Sequence, residues 1–341
     1  MNIDTLTQTT AAMMADGKGL LAMDESTGTC NKRFAALGIP QTEEMRRKYR
    51  ELIVTTPDLG KYVSGAILYD ETIRQSKADG TPFAKALVDA DIIPGIKVDA
   101  GAIDLAGFPG EKITEGLDGL AGRLAEYRGM GARFAKWRAV ITIGSQGIPT
   151  QACIEANAHV LARYASMCQA ADIVPIVEPE VLMDGDHSLT QCAAVTLQVL
   201  HTVFDQLDAL RVVFEGMILK PNMVLPGLKA ADQSSVDEIA DTTVKCLLRH
   251  VPAAVPGIAF LSGGQPAVEA SMRLNAMNAR WKSKMPWALT FSYSRAIQQP
   301  ALELWRGDDA NVDAAQKALV HRARCNSAAR RGEYTEVVEK G

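Results

Sequence analysis

The sequence predicts an α/β fold of the (β/α)8 barrel (TIM barrel) type, and three observations lead to that prediction. Short apolar runs recur eight times along the 341 residues. Helical stretches separate the runs, and neither a Ser/Pro-rich linker nor a low-complexity segment interrupts the series. Alternating strands and helices are typical of parallel sheets, and eight such units fit a closed barrel better than an open doubly wound sheet.

The candidate strands are four to eight residues long and nearly continuously hydrophobic, which is expected of strands covered on both faces. Short apolar runs of this kind are also compatible with buried helix. A dinucleotide-binding fold would place Gly-x-Gly-x-x-Gly after an early strand, whereas Gly17-Lys-Gly19 precedes the first one. In chain order the runs are Leu20–Met23, Val63–Tyr69, Ile92–Val98, Phe134–Ile141, Ile173–Val177, Phe214–Leu219, Ile258–Leu261 and Trp287–Phe291.

Helix start signals occur between the runs. Thr81-Pro82, Thr150 and Ser188 each precede a helical stretch, and Ser235 with Glu238 has the spacing of a capping box. We expect one domain over residues 1–341, with an additional amphipathic helix over 1–16. A further helix over 309–331 and a short tail complete the C-terminal segment, 309–341.

Composition narrows the class of protein. The formal charge is −4, and Lys and Arg are scattered among Asp and Glu, so nucleic acid is not an expected partner. The first residues lack a basic segment and no apolar run is long enough to cross a bilayer, so we expect a cytoplasmic protein that does not bind membranes. The six cysteines are widely spaced, which argues against a zinc cage or a redox pair.

Charged residues collect late in the predicted strands. An unpaired ion in a buried strand costs several kcal/mol on the order-of-magnitude scale for buried charges, so these positions are informative. Active sites of (β/α)8 barrels are built at the carboxyl ends of the strands. A buried salt-bridge network without chemistry is the alternative for any single residue, but such a network has no reason to gather at one end of five strands. The set comprises Asp24, Lys97, Asp99, Lys136, Arg138, Glu178, Glu180 and Lys220.

Lysines among carboxylates indicate one particular chemistry. An amine adds to a carbonyl only when it is deprotonated, and burial beside other cations favours the neutral amine. Lys220, with Lys136 and Arg138 nearby, would meet that need. The resulting iminium withdraws electrons from an adjacent C–C bond, while carboxylates such as Glu178 move protons.

The last two strands are followed by candidate phosphate sites. Leu261-Ser-Gly-Gly-Gln265 supplies the hydroxyl of Ser262 and glycine N–H groups beginning with Gly263, and Phe291-Ser-Tyr-Ser-Arg295 supplies Ser292 and Arg295. Loops after strands seven and eight are the usual phosphate location in this fold. Asp24-Glu-Ser-Thr-Gly-Thr29, followed by Lys32-Arg33, is either a second anion site or a helix cap. Two anion sites flanking a lysine suggest a substrate with a phosphate at each end.

These residues resemble the eukaryotic-type class I fructose-bisphosphate aldolases from about residue 16 to residue 335. The matching stretches are Leu21-Ala-Met-Asp-Glu-Ser-Thr-Gly28, Gly95-Ile-Lys-Val-Asp99, Phe134-Ala-Lys-Trp-Arg138, Val174-Pro-Ile-Val-Glu-Pro-Glu180, Leu219-Lys-Pro-Asn-Met-Val224, Phe260-Leu-Ser-Gly-Gly-Gln265 and Leu289-Thr-Phe-Ser-Tyr293. The resemblance implies a homotetrameric (β/α)8 lyase of glycolysis and gluconeogenesis. It implies reversible cleavage of fructose 1,6-bisphosphate into dihydroxyacetone phosphate and glyceraldehyde 3-phosphate, with neither a metal nor another cofactor.

The resemblance also implies roles for individual residues. Lys220 matches the Schiff-base lysine, Glu178 the principal acid/base in its formation, and Asp24 the residue that assists C–C cleavage. Glu180 and Lys136 match residues that support proton transfer and lysine activation. The remaining matches concern anions: Ser262, Gly263 and Arg295 around the 1-phosphate, with Ser292 beside them; Ser26, Thr29 and Lys97 near the 6-phosphate, with Lys32 and Arg33 nearby; and Arg138 as a charge-positioning cation.

Departures from the family pattern are few. Thr29 stands where animal members have serine, Ser294 stands where the pattern has glycine, and the chain ends without the longer tail and terminal tyrosine of animal members. Tyr334 matches the preceding helix end, not the tail.

Three alternatives stay open on sequence grounds. One is a Schiff-base aldolase or transaldolase for another sugar phosphate, such as fructose 1-phosphate or sedoheptulose bisphosphate. Another is a non-catalytic phosphate-binding barrel, which the joint presence of Lys220, Glu178 and Asp24 argues against. A metal-dependent aldolase would need histidine ligands at strand ends, yet His159, His187, His201, His250 and His321 lie mostly in helical stretches.

Overall fold

The strands follow the predicted order. The computed structural model describes residues 1–145 and 147–341, and these ranges contain ten strands: β1 (Gly19–Ala22), β2 (Val63–Leu68), β3 (Ile93–Lys97), β4 (Gly101–Asp104), β5 (Lys112–Glu115), β6 (Phe134–Ile141), β7 (Val174–Val181), β8 (Ile218–Leu219), β9 (Gly257–Phe260) and β10 (Ala288–Tyr293). Eight strands pair in parallel and close in the order β1, β2, β3, β6, β7, β8, β9, β10. The predicted (β/α)8 barrel is confirmed.

Helices connect the barrel strands and cover their outer faces. In the same described ranges they are α1 (Ile3–Met13), α2 (Thr27–Ala35), α3 (Glu43–Val54), α4 (Asp70–Ile73), α5 (Phe83–Asp89), α6 (Leu120–Gly129), α7 (Gln151–Ala170), α8 (Leu189–Ala209), α9 (Val236–His250), α10 (Ala267–Trp281), α11 (Arg295–Trp305), α12 (Val312–Arg331) and α13 (Glu336–Lys340). Capping boxes start α8 at Ser188 and α9 at Ser235. No described helix combines the length and the apolar character needed to cross a membrane.

The barrel interior is a compact apolar core around Phe134. This ring faces two strand glycines, because a Cβ atom on Gly95 would lie 2.2 Å from Phe134 Cε2 and one on Gly65 would lie 3.0 Å from Cε1. Leu20 and Ile176 pack in the same cluster. The aromatic ring therefore occupies space that side chains from two neighbouring strands would otherwise fill.

Helix α1 closes the amino-terminal end of the barrel. Its residues Leu6 and Met13, together with Met14, are buried and belong to the same apolar cluster as Phe134. The Thr10 hydroxyl donates a hydrogen bond to the Glu215 carbonyl at 3.0 Å. The helix predicted over residues 1–16 is thus present over Ile3–Met13.

The predicted strand at Phe214–Leu219 is wrong in its first half. Residues Phe214–Gly216 form a 3₁₀ turn, and only Ile218–Leu219 enters the barrel. The Gln169 side chain, and not a neighbouring strand, forms the hydrogen bonds of the Val213 backbone. Gln169 Nε2 donates to the Val213 carbonyl at 2.8 Å, and the Val213 N–H donates to Gln169 Oε1 at 2.9 Å. The seventh strand in the chain, β7, is longer than predicted and continues through Pro179 to Val181.

The antiparallel hairpin β4–β5 was missed by the sequence analysis. Its strands are four residues each, and Ala102, Ile103 and Asp104 of the first are exposed. An exposed two-stranded ribbon has no continuous apolar run, so the pattern used to find barrel strands does not detect it.

Substituting Gly95 with alanine tests the packing around Phe134. We expect Gly95→Ala to lower the free energy of unfolding by about 1–3 kcal/mol, because the added methyl group overlaps the ring. A second substitution, Phe134→Leu, should recover part of that loss in the double variant. Urea unfolding followed by circular dichroism measures both.

Gly122→Ala is the matched control for this substitution. Gly122 lies inside α6, and a Cβ atom there meets nothing within 4 Å. Alanine should therefore stabilise the protein by about 0.5–1 kcal/mol. Equal effects of the two glycine substitutions would contradict the packing argument.

Candidate active site

A cavity of about 640 Å³ opens at the carboxyl ends of the barrel strands. Each barrel strand, or the loop that follows it, contributes to the wall, as a (β/α)8 scaffold requires. The predicted site residues that line this cavity are Asp24, Ser26, Thr29, Lys97, Lys136, Arg138, Glu178, Glu180, Lys220, Ser262, Gly263, Ser292 and Arg295. The structure thus brings together every predicted site residue except Arg33 and its neighbour Lys32, which was also expected near the 6-phosphate.

Lys136 is the centre of a buried ion-pair chain. It lies on β6 with its side chain 5% exposed, and its Nζ is 2.7 Å from Asp24 Oδ2 at the end of β1. A second carboxylate, Glu178 Oε2 on β7, lies 3.4 Å from the same nitrogen. That contact is an ion pair without hydrogen-bond geometry, since Oε2 accepts no hydrogen bond from any described residue.

The ion pairs keep Lys136 and Asp24 charged. Burial alone would raise the pKa of Asp24, but the positive charges of Lys136 and Lys220 outweigh it and lower the pKa from 3.8 to about 2. Burial alone would lower the pKa of Lys136, but Asp24 and Glu178 raise it well above its ordinary value. An ammonium held in this way is a poor nucleophile.

Lys220 differs from Lys136 in its partners. Its Nζ lies 3.2 Å from Glu178 Oε1, and among the described residues Glu178 is the one carboxylate within 4 Å. The side chain of Lys220 is 4% exposed. Glu178 therefore stands between the two lysines with one oxygen toward each.

The backbone around Lys220 is fixed although β8 is only two residues long. The Lys220 N–H donates to the Val177 carbonyl at 2.8 Å. Two residues later, Asn222 Oδ1 accepts the Val181 N–H at 3.0 Å. After β8 ends at Leu219, the Asn222 side chain thus takes the place of a backbone group in the connection to β7.

Arg138 and Glu180 form a second ion pair above the first, nearer the mouth. Arg138 Nε contacts Glu180 Oε2, and the arginine side chain is 43% exposed while the glutamate is buried. In the register of the sheet Arg138 is level with Glu178, and Val140 with Glu180. Because side chains two residues apart share a face of a strand, Lys136 with Arg138 and Glu178 with Glu180 all face the cavity.

The loop after β9, strand β10 and the start of α11 bring four predicted residues to one wall. Ser262 and Ser292 are buried, and Ser292 Oγ has no hydrogen-bond partner within the described ranges. Gly263 has φ +59°, in the left-handed region that favours glycine. Arg295 is exposed and lies against Gly264, where a Cβ atom would be 2.9 Å from Arg295 Nη2.

Ser26, Thr29 and Lys97 line the part of the wall formed by β3 and by the loop after β1. The Ser26 hydroxyl caps α2 by accepting the Thr29 N–H, and it lies 3.1 Å from the Thr29 hydroxyl. Lys97 Nζ pairs with Asp99 Oδ1 at 2.6 Å. Arg33 is not part of this wall, because its Nη1 pairs with Glu25 Oε1 at 2.6 Å behind it.

Several cavity residues were not selected from the sequence. Asp99 was noted as a strand-end charge but given no role, and Glu25 lies inside a motif that was quoted for its neighbours. Tyr69 ends the second apolar run, which was the available signal. Asp184 and Leu228 come from loops without a local pattern, so only the fold reveals them.

Histidine ligands for a metal do not line this cavity as far as the structure describes the chain. A group of possible ligands, His321, Cys325 and Glu339, lies instead on α12 and α13. There Arg322 Nη1 lies 2.6 Å from both oxygens of Glu339, so that carboxylate is already paired.

Comparisons with known proteins decide the family. The model of the family described as "Fructose-bisphosphate aldolase class-I" matches residues 5–341. The chain belongs to the class-I fructose-bisphosphate aldolase family. The predicted family is thereby confirmed.

Individual relatives of this aldolase family are similar over nearly the whole chain. A "Probable fructose-bisphosphate aldolase class 1" from Xanthomonas campestris is 55% identical over 335 residues, covering 98% of this chain and 99% of the relative. "Fructose-bisphosphate aldolase 4, cytosolic" from Arabidopsis thaliana is 51% identical, covering 93% and 80% respectively. A solved structure of the fructose-bisphosphate aldolase from Plasmodium falciparum superimposes with a TM-score of 0.96 at 47% identity, covering 98% and 96%.

Removing the ammonium of Lys136 should raise the pKa of Asp24. In Lys136→Met the desolvation of Asp24 persists while its main counter-charge is lost, so we expect a pKa above 3.8. Infrared spectra of ¹³C-aspartate-labelled protein, with an Asp24→Asn variant subtracted, would show the protonated carboxyl at higher pH than in the wild type. Lys97→Met is the control, because Lys97 is a weaker influence on Asp24; equal shifts would contradict the assignment.

Proposed function

We propose that Lys220 of this class-I fructose-bisphosphate aldolase forms a Schiff base with C2 of fructose 1,6-bisphosphate. The observation that carries the proposal is the unequal pairing of two buried lysines. Lys136 is held as an ammonium by Asp24 at 2.7 Å, whereas Lys220 shares only Glu178 at 3.2 Å. The role of the nucleophile is therefore assigned to Lys220.

Glu178 moves the protons that accompany Schiff-base formation. Lys220 passes one proton to Glu178 and its nitrogen adds to C2; the carbonyl oxygen receives that proton and a second one from the nitrogen, and leaves as water while the iminium forms. Glu178 Oε1 is within reach of the nitrogen and can carry protons between the nitrogen and the oxygen. The ion pair of Glu180 with Arg138 holds a further carboxylate above this one.

Cleavage then breaks the bond between C3 and C4. The Glu178 carboxylate takes the proton of the C4 hydroxyl, glyceraldehyde 3-phosphate leaves, and the bond's electron pair passes to the iminium, giving an enamine on Lys220. Asp24, with its pKa near 2, stays ionised and is placed to orient the C4 hydroxyl by accepting its hydrogen bond. Glu178 then returns the proton to C3, and hydrolysis by one water molecule releases dihydroxyacetone phosphate and restores the amine.

The two phosphates are assigned to two separate sets of residues in the cavity wall. For the 1-phosphate we propose Ser262, Gly263, Ser292 and Arg295; the unpartnered Ser292 hydroxyl and the left-handed Gly263 backbone support this choice. For the 6-phosphate we propose Ser26, Thr29 and Lys97. Arg33 acts on this second group only through Glu25.

A homotetramer in the cytoplasm is part of the same proposal. The family resemblance supports the oligomeric state, and the word "cytosolic" in the names of two Arabidopsis relatives supports the location.

Borohydride reduction tests the nucleophile directly. With dihydroxyacetone phosphate present, we expect peptide mapping to find a reduced adduct on Lys220 and none on Lys229, an exposed lysine nearby. Lys220→Ala should lose cleavage activity by a factor of about 10⁴ or more while keeping its circular dichroism spectrum. An adduct on Lys136, or near-normal turnover in Lys220→Ala, would refute the mechanism.

Chelation tests the metal-independent chemistry. Activity should be unchanged after dialysis against excess EDTA, because Lys220 supplies the electron sink that a metal would otherwise provide. Loss of activity that zinc restores would assign the chain to a different mechanism.

A further inference from the structure

The hydroxyl of Ser294 does not cap the helix that it precedes, although it accepts a hydrogen bond from the side chain of Gln298 in that helix at 3.3 Å. Serine at this position usually accepts an N–H of the first helical turn. Here the described residues show no side-chain cap on α11. Ser294 Oγ instead donates to Glu25 Oε1 at 2.6 Å, across to the loop after β1.

Glu25 is a rigid acceptor for this bond. Its side chain is 8% exposed and is paired with Arg33 Nη1 at 2.6 Å and with Arg50 Nη1 at 2.8 Å. Gln298 Nε2 donates to the same Oε1 at 3.1 Å. Burial would raise the pKa of Glu25, but Arg50 and Arg33 outweigh burial and lower it, so the acceptor is a carboxylate. Hydrogen bonds to an ionised acceptor are the stronger kind.

The residue after Ser294 is Arg295, an exposed cation on the cavity wall. A long exposed side chain loses rotamer entropy when it binds an anion, so a fixed backbone lowers the cost of binding. We propose that Ser294 is a positioning residue, whose bond to Glu25 holds the start of α11 so that Arg295 meets the 1-phosphate of the ketose. This inference rests on the proposed function, since it deepens the phosphate site described there.

Ser294 itself is a poor phosphate ligand in this geometry. A hydroxyl has one proton to donate, and the proton of Ser294 is committed to Glu25. Only lone pairs remain for a bound anion, and a phosphate needs donors. Any effect of the hydroxyl on phosphate affinity therefore passes through Arg295.

Calorimetry with hexitol 1,6-bisphosphate tests this tether, the hydrogen bond from Ser294 to Glu25. The polyol has both phosphates but no carbonyl to react with Lys220. In Ser294→Ala we expect its Kd to rise about tenfold, as for loss of a hydrogen bond to a charged group. Ser294→Thr keeps the hydroxyl and should restore the affinity toward the wild-type value. With fructose 1,6-bisphosphate as substrate, Ser294→Ala should change KM more than kcat.

A double-mutant cycle with Arg295→Ala separates positioning from other roles. If the hydroxyl acts through Arg295, Ser294→Ala should cause no further loss of hexitol bisphosphate affinity in the Arg295→Ala background. Additive losses, or an unchanged Kd in the single variant, would overturn the inference. A wild-type protein that binds the hexitol but fails to cleave fructose 1,6-bisphosphate would instead overturn the proposed function, leaving the tether to be judged by the cycle.

Discussion

The contact between Lys136 and Asp24 is the constraint on which the chemistry of this barrel depends. Burying an ammonium and a carboxylate is tolerated only when each finds a partner. Their pairing leaves Glu178 with one oxygen toward Lys136 and the other toward Lys220. Two lysines of the same chemical type thereby become unequal, since one has a carboxylate of its own and the other shares.

The buried charged residues lie on barrel strands, whereas several residues proposed to bind phosphate lie beyond the strand ends. Lys136, Glu178 and Glu180 lie on strands and are buried, so their relative positions are set by the register of the sheet. The Ser262–Gly264 turn follows β9, and Arg295 begins α11 just beyond β10. Sites on strands are held more firmly than sites beyond the strand ends, and this is consistent with a positioning role for the bond from Ser294 to Glu25.

Local patterns in the sequence predicted most of the barrel, because strands such as Phe134–Ile141 are apolar on both faces. The charged residues of that strand, Lys136 and Arg138, are the ones that line the cavity. The same reasoning failed for β4–β5, whose exposed residues have no apolar run, and for Phe214–Gly216, whose backbone is satisfied by Gln169. The sequence analysis also expected Arg33 near the 6-phosphate of the substrate. The pairing of Arg33 with Glu25 is a tertiary contact, and no spacing along the chain indicates which of two anions an arginine faces.

Helix α1 fills the lower end of the barrel with Leu6 and Met13, so reactants pass through the upper mouth in both directions. Because the cavity has a single opening, the substrate and both products must use the same route. In the proposed mechanism, covalent attachment to Lys220 keeps the ketone half in the cavity while the aldehyde departs. With one opening and a covalently held ketone half, the aldehyde is the first product to leave in the cleavage direction. In the reverse direction it is the last reactant to enter.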